Sequence, residues 1–360
     1  MAKPVVVVTG VSGNLGTRLL PLLGSFSVIG VDVIPPPTGS ELQFETLDLG
    51  LESSTRTLYE LLRDTHVYAV VHLAFVIDPV RAGVLDLDRM WQINVAGTAR
   101  VMEAITEVNR AADNGVKQFI FPSSVSVYGP DFPRPATEES PLAAHTLPYA
   151  IHKKESDEVV QQRSTALRGS SVYILRPHIF AGASVENYLM GAFRGTPNGT
   201  SIRAERMRNQ GKRLPCMLPR GQQYLDNKIQ FIHVDDMARL LKHILQREPE
   251  TQRLTVLNVA GRGEPLTFAR CIEMAEAKLV RVPGQWAMRQ VLNFLWKRKI
   301  SAIPPEAVPY MTGQYIMNTD RLKRFLGSEY EHVIRYSIND AFADSFHASV
   351  SAASHSVAAH

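Results

Sequence analysis

Cysteine and long apolar runs are scarce in this 360-residue chain. Its only cysteines, Cys216 and Cys271, provide no disulfide framework. No apolar run reaches the roughly 18–20 residues that a transmembrane helix needs. The N-terminus has no signal-peptide core, because Gly10 follows the four valines of Val5–Val8 almost at once. These absences predict a protein of the reducing cytoplasm.

The excess of positive over negative charge is also small, with 39 Lys and Arg against 35 Asp and Glu. The composition, 45% hydrophobic and 21% charged, predicts a globular protein and excludes disorder for the chain as a whole. Residues 194–213 and 281–300 each carry a net charge of +5, so the other 320 residues sum to −6. This placement, without an RNA-recognition pattern, favours an anionic small-molecule substrate or an anionic surface near the active site over nucleic acid.

Hydrophobic periodicity divides the chain into two parts. Short β-branched runs alternate with helical patterns up to Gly182, which is typical of a parallel sheet. We therefore predict an α/β fold: a Rossmann-type doubly wound parallel sheet over residues 1–182, completed by about 229–262 through Phe231–Val234 and Leu254–Val259. A smaller mixed, mainly helical substrate lobe is predicted over 183–228, where the pattern is irregular, and over 263–340. Residues 345–360 are predicted to form a disordered tail.

A glycine-rich turn follows the first predicted strand. Gly10, Gly13 and Gly16 have the spacing G-x-x-G-x-x-G, a variant of the dinucleotide-binding fingerprint. Asp32 lies 22 positions after Gly10, where a carboxylate accepts hydrogen bonds from the ribose hydroxyls and repels a 2′-phosphate. No basic residue follows Asp32 directly, so NAD is predicted over NADP. The alternative is a surface aspartate after a purely structural turn.

Tyr149 and Lys153 stand four residues apart on one face of a predicted helix. A phenol with a pKa near 10 is a poor base at neutral pH, and lowering that pKa to about 7 requires about 4 kcal/mol of selective phenolate stabilisation. The adjacent ammonium and the positive nicotinamide ring are predicted to supply it. Ser124, at the carboxyl end of the fourth predicted strand, lies where open α/β sheets bind their ligands.

These motifs occur in a fixed order that resembles the extended short-chain dehydrogenases/reductases, within them the NAD-dependent epimerase/dehydratase family and its UDP-glucose/UDP-galactose 4-epimerases. The resemblance covers roughly residues 4–330. It rests on Thr9–Gly16, Asp32, Asp48-Leu49, His72-Leu73-Ala74, Asn94–Thr98, Ser123–Ser126, Tyr149 with Lys153, Leu175-Arg176-Pro177 and Phe231–Asp236.

The resemblance implies an enzyme whose catalytic residues are Ser124, rather than Ser123, with Tyr149 and Lys153. It implies NAD as cofactor and implies substrate-binding roles for Ser124, Ser126 and Asn187, although a loop cap is an equal alternative for Asn187. The basic segment Arg194–Arg213 offers Arg203 as a further substrate-binding candidate that would contact phosphate, with a solvated surface face as the equal alternative. No metal site is expected, and His72 and His233 are expected to be structural. The implied cofactor-binding residues are Gly10, Ser12, Gly13, Asn14, Leu15, Gly16, Asp32, Asp48, Leu49, Leu73, Ala74, Asn94, Tyr149, Lys153 and Pro177.

Three functions remain open within this resemblance. Val125 and Ser126 stand where dehydratases carry an acidic residue, which disfavours dehydration and favours nucleotide-sugar 4-epimerisation, our leading hypothesis. The arginines that contact a diphosphate in those epimerases are missing at Lys228–Gln230 and Met311–Gln314. The second hypothesis is therefore an NAD-dependent dehydrogenase or reductase of a non-nucleotide alcohol or carbonyl, sterol-like or lipid-linked. The third is a catalytically silent dinucleotide sensor or RNA-binding protein.

An amphipathic stripe over residues 286–300 has two interpretations. Met288, Val291, Leu292, Leu295 and Trp296 share one helical face, and Lys297-Arg298-Lys299 follow. Core packing is the expected role, and a cap on a hydrophobic pocket or contact with a membrane surface is the less expected alternative. The resemblance also implies a homodimer built on the helices predicted over 90–109 and 149–168.

Overall fold

The structure is a computed structural model that describes residues 2–36, 42–77, 86–111, 115–250 and 253–346. Most of the tail predicted over 345–360 lies outside the described residues. No helix within those ranges is long and apolar enough to cross a membrane.

Seven parallel strands form the central sheet, in the order β11-β6-β5-β4-β1-β2-β3. Helices cover both faces, so Val6, Val7 and Val8 of the interior strand β1 are fully buried. The strands of the described chain are β1 Val5–Thr9, β2 Ser27–Asp32, β3 Gln43–Thr46, β4 Val67–His72, β5 Gln118–Pro122, β6 Ser171–Pro177, β7 Ile179–Ala181, β8 Cys216–Pro219, β9 Lys228–Ile229, β10 Phe231–His233, β11 Leu254–Val259, β12 Leu266–Thr267 and β13 Leu279–Val282.

The helices flank this sheet and make up most of the second lobe. They are α1 Asn14–Leu19, α2 Ser54–Asp64, α3 Leu87–Trp91, α4 Gly97–Ala111, α5 Pro148–Arg163, α6 Tyr188–Arg194, α7 Ile202–Asn209, α8 Gln223–Asp226, α9 Val234–Leu245, α10 Phe268–Met274, α11 Gln285–Lys297, α12 Val308–Thr312, α13 Asp320–Leu326, α14 Tyr330–Val333 and α15 Ile338–Asp344. A π-helical turn, Gln92–Ala96, joins α3 to α4, and short 3-10 turns occupy Leu20–Leu22, Val125–Tyr128, Ser164–Ala166, Pro305–Ala307 and Gly327–Glu329.

The predicted parallel sheet is confirmed, and its strand order locates the functional crevice. β1 pairs with β2 on one side and with β4 on the other. The direction of winding reverses between β1 and β4, and ligands of open α/β sheets bind beyond the carboxyl ends of the strands at such a reversal. The glycine turn follows β1 at this point, and Ser123 and Ser124 follow β5 at the same edge.

One predicted strand lies outside the central sheet, and one strand of that sheet was not predicted. Phe231–Val234 does not return to the central sheet: β10 pairs in parallel with β7, while β11 pairs with β6 over six residues and closes that edge. The short edge strand β3 was missed, because its sequence Gln-Phe-Glu-Thr has little apolar content. The prediction that residues 183–228 are irregular was wrong in part, because this stretch contains β8, which pairs with β13.

Candidate active site

A cavity of about 550 Å³ lies at the carboxyl ends of the central strands, between the sheet and the smaller lobe. Gly10 follows β1, Leu73 follows β4, Ser123 follows β5 and Pro177 ends β6, and all four line the cavity. Residues from 183–189 and from 307–315 of the smaller lobe form the opposite wall. The two predicted parts of the chain therefore meet at one site.

The glycine turn requires glycine at its first position. Gly10 has φ +68°, and a Cβ atom placed there would lie 2.5 Å from the backbone nitrogen of Ala74. A Cβ atom on Gly16 would lie 2.4 Å from the carbonyl oxygen of Val11. The backbone segments after β1 and β4 thus approach more closely than any side chain would allow. Gly13, Asn14, Leu15 and Gly16 line the cavity beside this turn.

Asp32 organises the far side of the same turn. Its carboxylate accepts hydrogen bonds from the backbone nitrogen of Ser12 at 3.0 Å and from that of Val33 at 2.7 Å. Each carboxylate oxygen keeps capacity for a second hydrogen bond. The half-buried carboxylate at the end of β2 is therefore compatible with binding ribose hydroxyls while it also fixes the turn.

Asp48, Leu49 and Asn94 hold the backbone around this crevice. Asp48 accepts a hydrogen bond from the Gly50 nitrogen at 2.8 Å and is paired with Arg89. Leu49 is buried. The Asn94 side chain binds both backbone groups of Val76, accepting from its nitrogen at 2.7 Å and donating to its oxygen at 3.0 Å. Asn94 thus fixes the segment after β4, and none of these three residues is among those that line the cavity.

The two histidines expected to be structural have structural contacts. His72 is buried between the hydroxyl oxygens of Thr9 at 2.7 Å and Thr98 at 3.0 Å. Burial lowers the pKa of His72 to about 3, and the charge of Lys153 acts in the same direction, so the ring is neutral at physiological pH. His233 caps α9 and stacks on the ring of Tyr336 at 3.8 Å. Within the described residues no cluster of potential metal ligands occurs.

Ser124, Tyr149 and Lys153 meet at the wall of the cavity. Burial raises the pKa of Tyr149, and a hydrogen bond with the Ser124 side chain opposes that rise. The Ser124 oxygen also accepts from the backbone nitrogen and the hydroxyl of Ser126, at 3.2 and 3.0 Å. The predicted catalytic residues therefore lie together, with Ser126 supporting Ser124.

Lys153 is buried and held by backbone and aromatic contacts. Its Nζ donates to the carbonyl oxygen of Pro122 at 2.7 Å and lies 3.7 Å from the centre of the Phe75 ring. Burial lowers the pKa of Lys153 to about 7, while the charge of Asp157 acts in the opposite direction. The hydrogen bond with Ser124 favours the Tyr149 phenolate.

A buried ion pair beneath the site was missed by the sequence analysis. Arg176 Nε and Nη2 donate to the two carboxylate oxygens of Asp157, each at 2.9 Å, and both side chains are at most 2% exposed. Ser123 Oγ donates to the same carboxylate at 2.6 Å, and Arg176 Nη1 donates to the hydroxyl of Tyr128 at 2.8 Å. The network clamps both ends of the segment that carries Ser124. Arg176 lies within a motif of the resemblance, but its sequence gives no partner.

The substrate half of the cavity is apolar and aromatic. Among the described residues that line it, Lys153 is the one cation, Glu186 is the one carboxylate and none is an arginine. Asn187 lines the wall but caps α6, accepting from the Met190 nitrogen at 3.0 Å. Arg203 is exposed on α7 and is not part of the lining. The apolar members of this wall are Phe75, Ile77, Leu147, Ile179, Phe180, Val185, Leu189, Ala307 and Met311.

The basic segment 194–213 does not supply the missing arginines. None of its residues is among those that line the cavity. Arg194 donates to the carbonyl oxygen of Val185 at 2.6 Å, and Arg208 donates to those of Pro197 and Gly199 at 2.6 and 2.9 Å. These side chains bind backbone carbonyl groups within the smaller lobe. The position of the segment therefore does not support the expectation that it contacts substrate phosphate.

Two polar atoms at the cavity were not anticipated. His178 and Tyr315 line the cavity and are each 2% exposed, and their rings lie 6.1 Å apart. The backbone nitrogen of Ile179 donates to His178 Nδ1 at 2.9 Å, which leaves the proton of the neutral ring on Nε2. Within the described residues the Tyr315 hydroxyl has no hydrogen-bond partner, and His178 Nε2 makes no hydrogen bond of ordinary geometry. No motif marked these residues, because their proximity depends on the pairing of two lobes.

Comparison with known proteins agrees with this geometry. The sequence profile of the NAD dependent epimerase/dehydratase family matches residues 6–260. The chain belongs to the NAD-dependent epimerase/dehydratase family, whose cofactor is NAD. A dinucleotide cofactor agrees with the geometry of the glycine turn and Asp32. The family resemblance inferred from the sequence motifs is confirmed.

Curated relatives of this family member include UDP-glucose 4-epimerases. That of Erwinia amylovora is 28% identical over 206 residues, which are 54% of this chain and 58% of the relative. That of Drosophila melanogaster is 27% identical over 217 residues, which are 55% of this chain and 59% of the relative. The matched region therefore spans less than two thirds of the length of these relatives.

Solved structures of the family share the fold. The dTDP-glucose 4,6-dehydratase of Bacillus anthracis, in complex with NAD, superimposes with a TM-score of 0.64 at 16% identity and covers 95% of both chains. The UDP-glucuronic acid 4-epimerase of Bacillus cereus, in complex with UDP-glucuronic acid and NAD, gives a TM-score of 0.62 at 18% identity, over 94% of this chain and 98% of the other. At these identities the likeness shows the fold alone.

Proposed function

We propose that this enzyme catalyses reversible oxidation of a secondary alcohol to a carbonyl group, with Tyr149 as the acid and base. NAD supplies a hydride acceptor, and in its reduced form a donor, when bound beside the glycine turn. The observation that carries the proposal is the meeting of Ser124, Tyr149 and Lys153 at the cavity that the glycine turn also lines.

The contacts of the three side chains support a separate role for each in this proposal. The Tyr149 phenol, held neutral by burial, donates its proton to a substrate carbonyl oxygen in the reductive direction and takes it back in the oxidative direction. Ser124 orients that oxygen through its hydroxyl. Lys153, with a pKa of about 7, exchanges a proton near neutral pH and lies one helical turn from Tyr149.

The lining favours a substrate whose body is apolar and which lacks a diphosphate. Two phosphate charges buried against apolar side chains require positive partners, and arginine supplies them bidentately where diphosphates are recognised. No arginine is among the described lining residues, and the lysine present is already engaged with the Pro122 carbonyl. The second hypothesis from the sequence, a non-nucleotide alcohol or carbonyl, therefore becomes the preferred one.

His178 and Tyr315 would bind a second oxygen of that substrate. Both His178 Nε2–H and the Tyr315 hydroxyl are buried donors, and within the described residues neither makes a hydrogen bond of ordinary geometry, although the Tyr315 backbone carbonyl interacts with the His178 ring. Burial lowers the pKa of His178 to about 3 against the opposing effect of the Tyr315 carbonyl, so the ring donates as a neutral group. Such a pair suits a carbonyl, hydroxyl or ether oxygen at a distance from the reacting carbon.

The second candidate is 4-epimerisation of a nucleotide sugar. It is supported by the UDP-glucose 4-epimerases among the curated relatives and by Val125 and Ser126, which leave no acid after Ser124 for dehydration. In that reaction Tyr149 would act first as base and then as acid on the same oxygen, and the cofactor would stay bound between turnovers.

Nucleotide binding distinguishes the two candidates. UDP and UDP-glucose are titrated calorimetrically into the enzyme saturated with NAD, and NAD released on denaturation is measured in parallel. The proposal predicts no heat from either nucleotide up to millimolar concentration. Binding in the micromolar range with interconversion of UDP-glucose and UDP-galactose would establish the epimerase, and NAD binding without turnover of any alcohol or sugar would support a silent sensor.

The assembly and the compartment are further parts of the proposal. A homodimer is supported by the resemblance and by Trp91, which is 40% exposed at the end of α3. Light scattering after size exclusion would test it, and a monomeric mass would remove it. A cytoplasmic location is proposed from the scarcity of cysteine in the sequence, and reduced Cys216 and Cys271 in the isolated protein would agree with it.

A further inference from the structure

An exposed face of α11 combines aromatic and basic side chains. Trp286 and Phe294 are 75% and 53% exposed, although both are large apolar residues. Arg289, Lys297 and Arg298 are exposed on the same helix, and residues 281–300 contain no acidic side chain. The opposite side of the helix is anchored in the core, where Met288 and Leu292 are at most 3% exposed.

The start of α7 extends this face. The backbone nitrogen of Ser201 donates to the Lys299 oxygen at 2.9 Å, which fixes α7 beside the end of α11. Ile202, the first residue of α7, is 78% exposed, and Arg203 and Arg206 follow it in exposed positions. We define the aromatic–basic face as Ile202, Arg203, Arg206, Trp286, Arg289, Phe294, Lys297, Arg298 and Lys299.

Acidic neighbours offset only part of this charge. Glu205 is exposed on α7, and Glu306 lies 4.0 Å from Arg289. The face has six basic side chains, so positive charge dominates it. A second copy docked on the same face by two-fold symmetry would place these like charges against one another, which disfavours self-association. An anionic partner with an apolar interior satisfies both components.

We propose that the aromatic–basic face binds the surface of an anionic lipid bilayer. Exposed tryptophan and phenylalanine insert at the boundary between headgroups and acyl chains, and basic side chains attract anionic headgroups. Neither contribution depends on the bound substrate or on the proposed reaction. The stripe expected from the sequence to be core packing is thus divided: Met288 and Leu292 pack inward, and Val291 lies 38% exposed beside Phe294.

The face is joined to the active-site cavity through neighbouring helices. α11 packs against the 3-10 turn Pro305–Ala307 and against α12. Ala307, Tyr310 and Met311 from these elements line the cavity. Docking of α11 on a bilayer would therefore place a wall of the apolar cavity close to lipid. This consequence rests on the proposed function, whereas the binding surface itself does not.

Vesicle flotation tests the surface directly. Full-length protein is mixed with vesicles of phosphatidylcholine alone or of equal parts phosphatidylcholine and phosphatidylglycerol. We expect flotation with the anionic vesicles and none with the neutral ones. Trp286→Ser with Phe294→Ser, and separately Lys297→Gln with Arg298→Gln, should each weaken binding by at least about tenfold.

Matched variants on the cofactor side provide the controls. Leu51 and Leu87 are 52% and 55% exposed, so Leu51→Ser with Leu87→Ser removes comparable apolar surface elsewhere. Arg56→Gln with Arg63→Gln removes the same charge from α2. Both controls should float like the parent protein, with unchanged thermal unfolding in all variants. Absence of flotation by the parent, equal loss in the controls, or a change of oligomeric mass caused by Trp286→Ser with Phe294→Ser would overturn the proposal.

Discussion

At the scale of the residue, the site depends on side chains whose ordinary ionisation is altered by burial. Burial raises the pKa of the Tyr149 phenol and lowers that of the Lys153 ammonium to about 7, so both groups favour their neutral forms. Ser124 opposes the effect on Tyr149 by favouring the phenolate. A neutral acid beside a hydroxyl donor is suited to proton transfer at a single oxygen atom.

The altered pKa of Lys153 predicts a pH-dependent stability. The folded protein releases this proton near pH 7, whereas the unfolded chain holds it to about 10.5, so the free energy of unfolding rises with pH between these values. We compare the parent with Lys153→Met by urea unfolding of the cofactor-free protein. Between pH 7 and 9 the parent should gain about 2 kcal/mol relative to the variant. A difference that does not change with pH would show that the lysine stays charged when folded.

Asp32 is predicted to set the choice between cofactors. Asp32→Asn removes the negative charge that repels a 2′-phosphate, so the preference for NAD over NADP should narrow by at least about tenfold. Dissociation constants measured by fluorescence titration test this. Asp48→Asn is the control, because it removes a similar carboxylate and should leave the ratio of the two constants unchanged. An unaltered ratio in Asp32→Asn would remove Asp32 from the ribose site.

At the scale of the element, the glycine turn and the segment after β4 form one unit. Gly10 adopts a left-handed conformation, and the backbone of Ala74 leaves no room for a side chain there. The Asn94 side chain fixes Val76 from the other direction. The cofactor crevice is therefore built from backbone held at close distance.

Gly10→Ala should disrupt this unit. The added Cβ atom would meet backbone at 2.5 Å in a conformation that L-residues rarely adopt, so we expect NAD affinity to fall by at least about tenfold and the melting temperature to drop by several degrees. Gly24→Ala is the control, because no atom lies within 4 Å of its added Cβ and its φ is not positive. Equal effects of the two substitutions would contradict the close-packing argument.

Elements with local signals were predictable, and those that depend on distant pairing were not. The valine run of β1, the glycine spacing and the Tyr149–Lys153 spacing are local and specify strand, turn and helix face directly. The prediction that β10 joins the central sheet was wrong, because its apolar sequence suits any buried strand and β11 occupies the edge beside β6. The proximity of His178 to Tyr315 is set by packing across 137 residues of sequence, which no short-range pattern encodes.

At the scale of the whole molecule, one buried hydrogen-bond network connects the central sheet to α5 and to the segment after β5 that carries Ser124. Arg176 on β6, Asp157 on α5 and Ser123 after β5 are joined by hydrogen bonds of 2.6 to 2.9 Å. Tyr128 continues the network by donating to Asn258 on β11 at 2.7 Å. The position of Ser124 thus depends on residues from four elements.

Breaking the ion pair should cost far more than breaking one at the surface. Asp157→Ala leaves Arg176 buried without its carboxylate and should lower the free energy of unfolding by about 3–5 kcal/mol. Glu107→Ala removes the exposed partner of Arg110 and should cost no more than about 1 kcal/mol. Urea unfolding of both variants measures the difference. Similar losses would mean that the buried pair is not a central support of the fold.

The central claim is that Tyr149 transfers a proton at the alcohol or carbonyl oxygen of a substrate without a diphosphate. The most direct measurement is the rate of NADH formation by the parent enzyme and Tyr149→Phe with a panel of alicyclic alcohols and a 3β-hydroxysteroid, together with the rate of UDP-galactose formation from UDP-glucose. We predict turnover of at least one non-nucleotide alcohol, and a loss of at least about a hundredfold in Tyr149→Phe with NAD affinity retained. Conversion of UDP-glucose alone, or equal turnover by the two proteins, would contradict it.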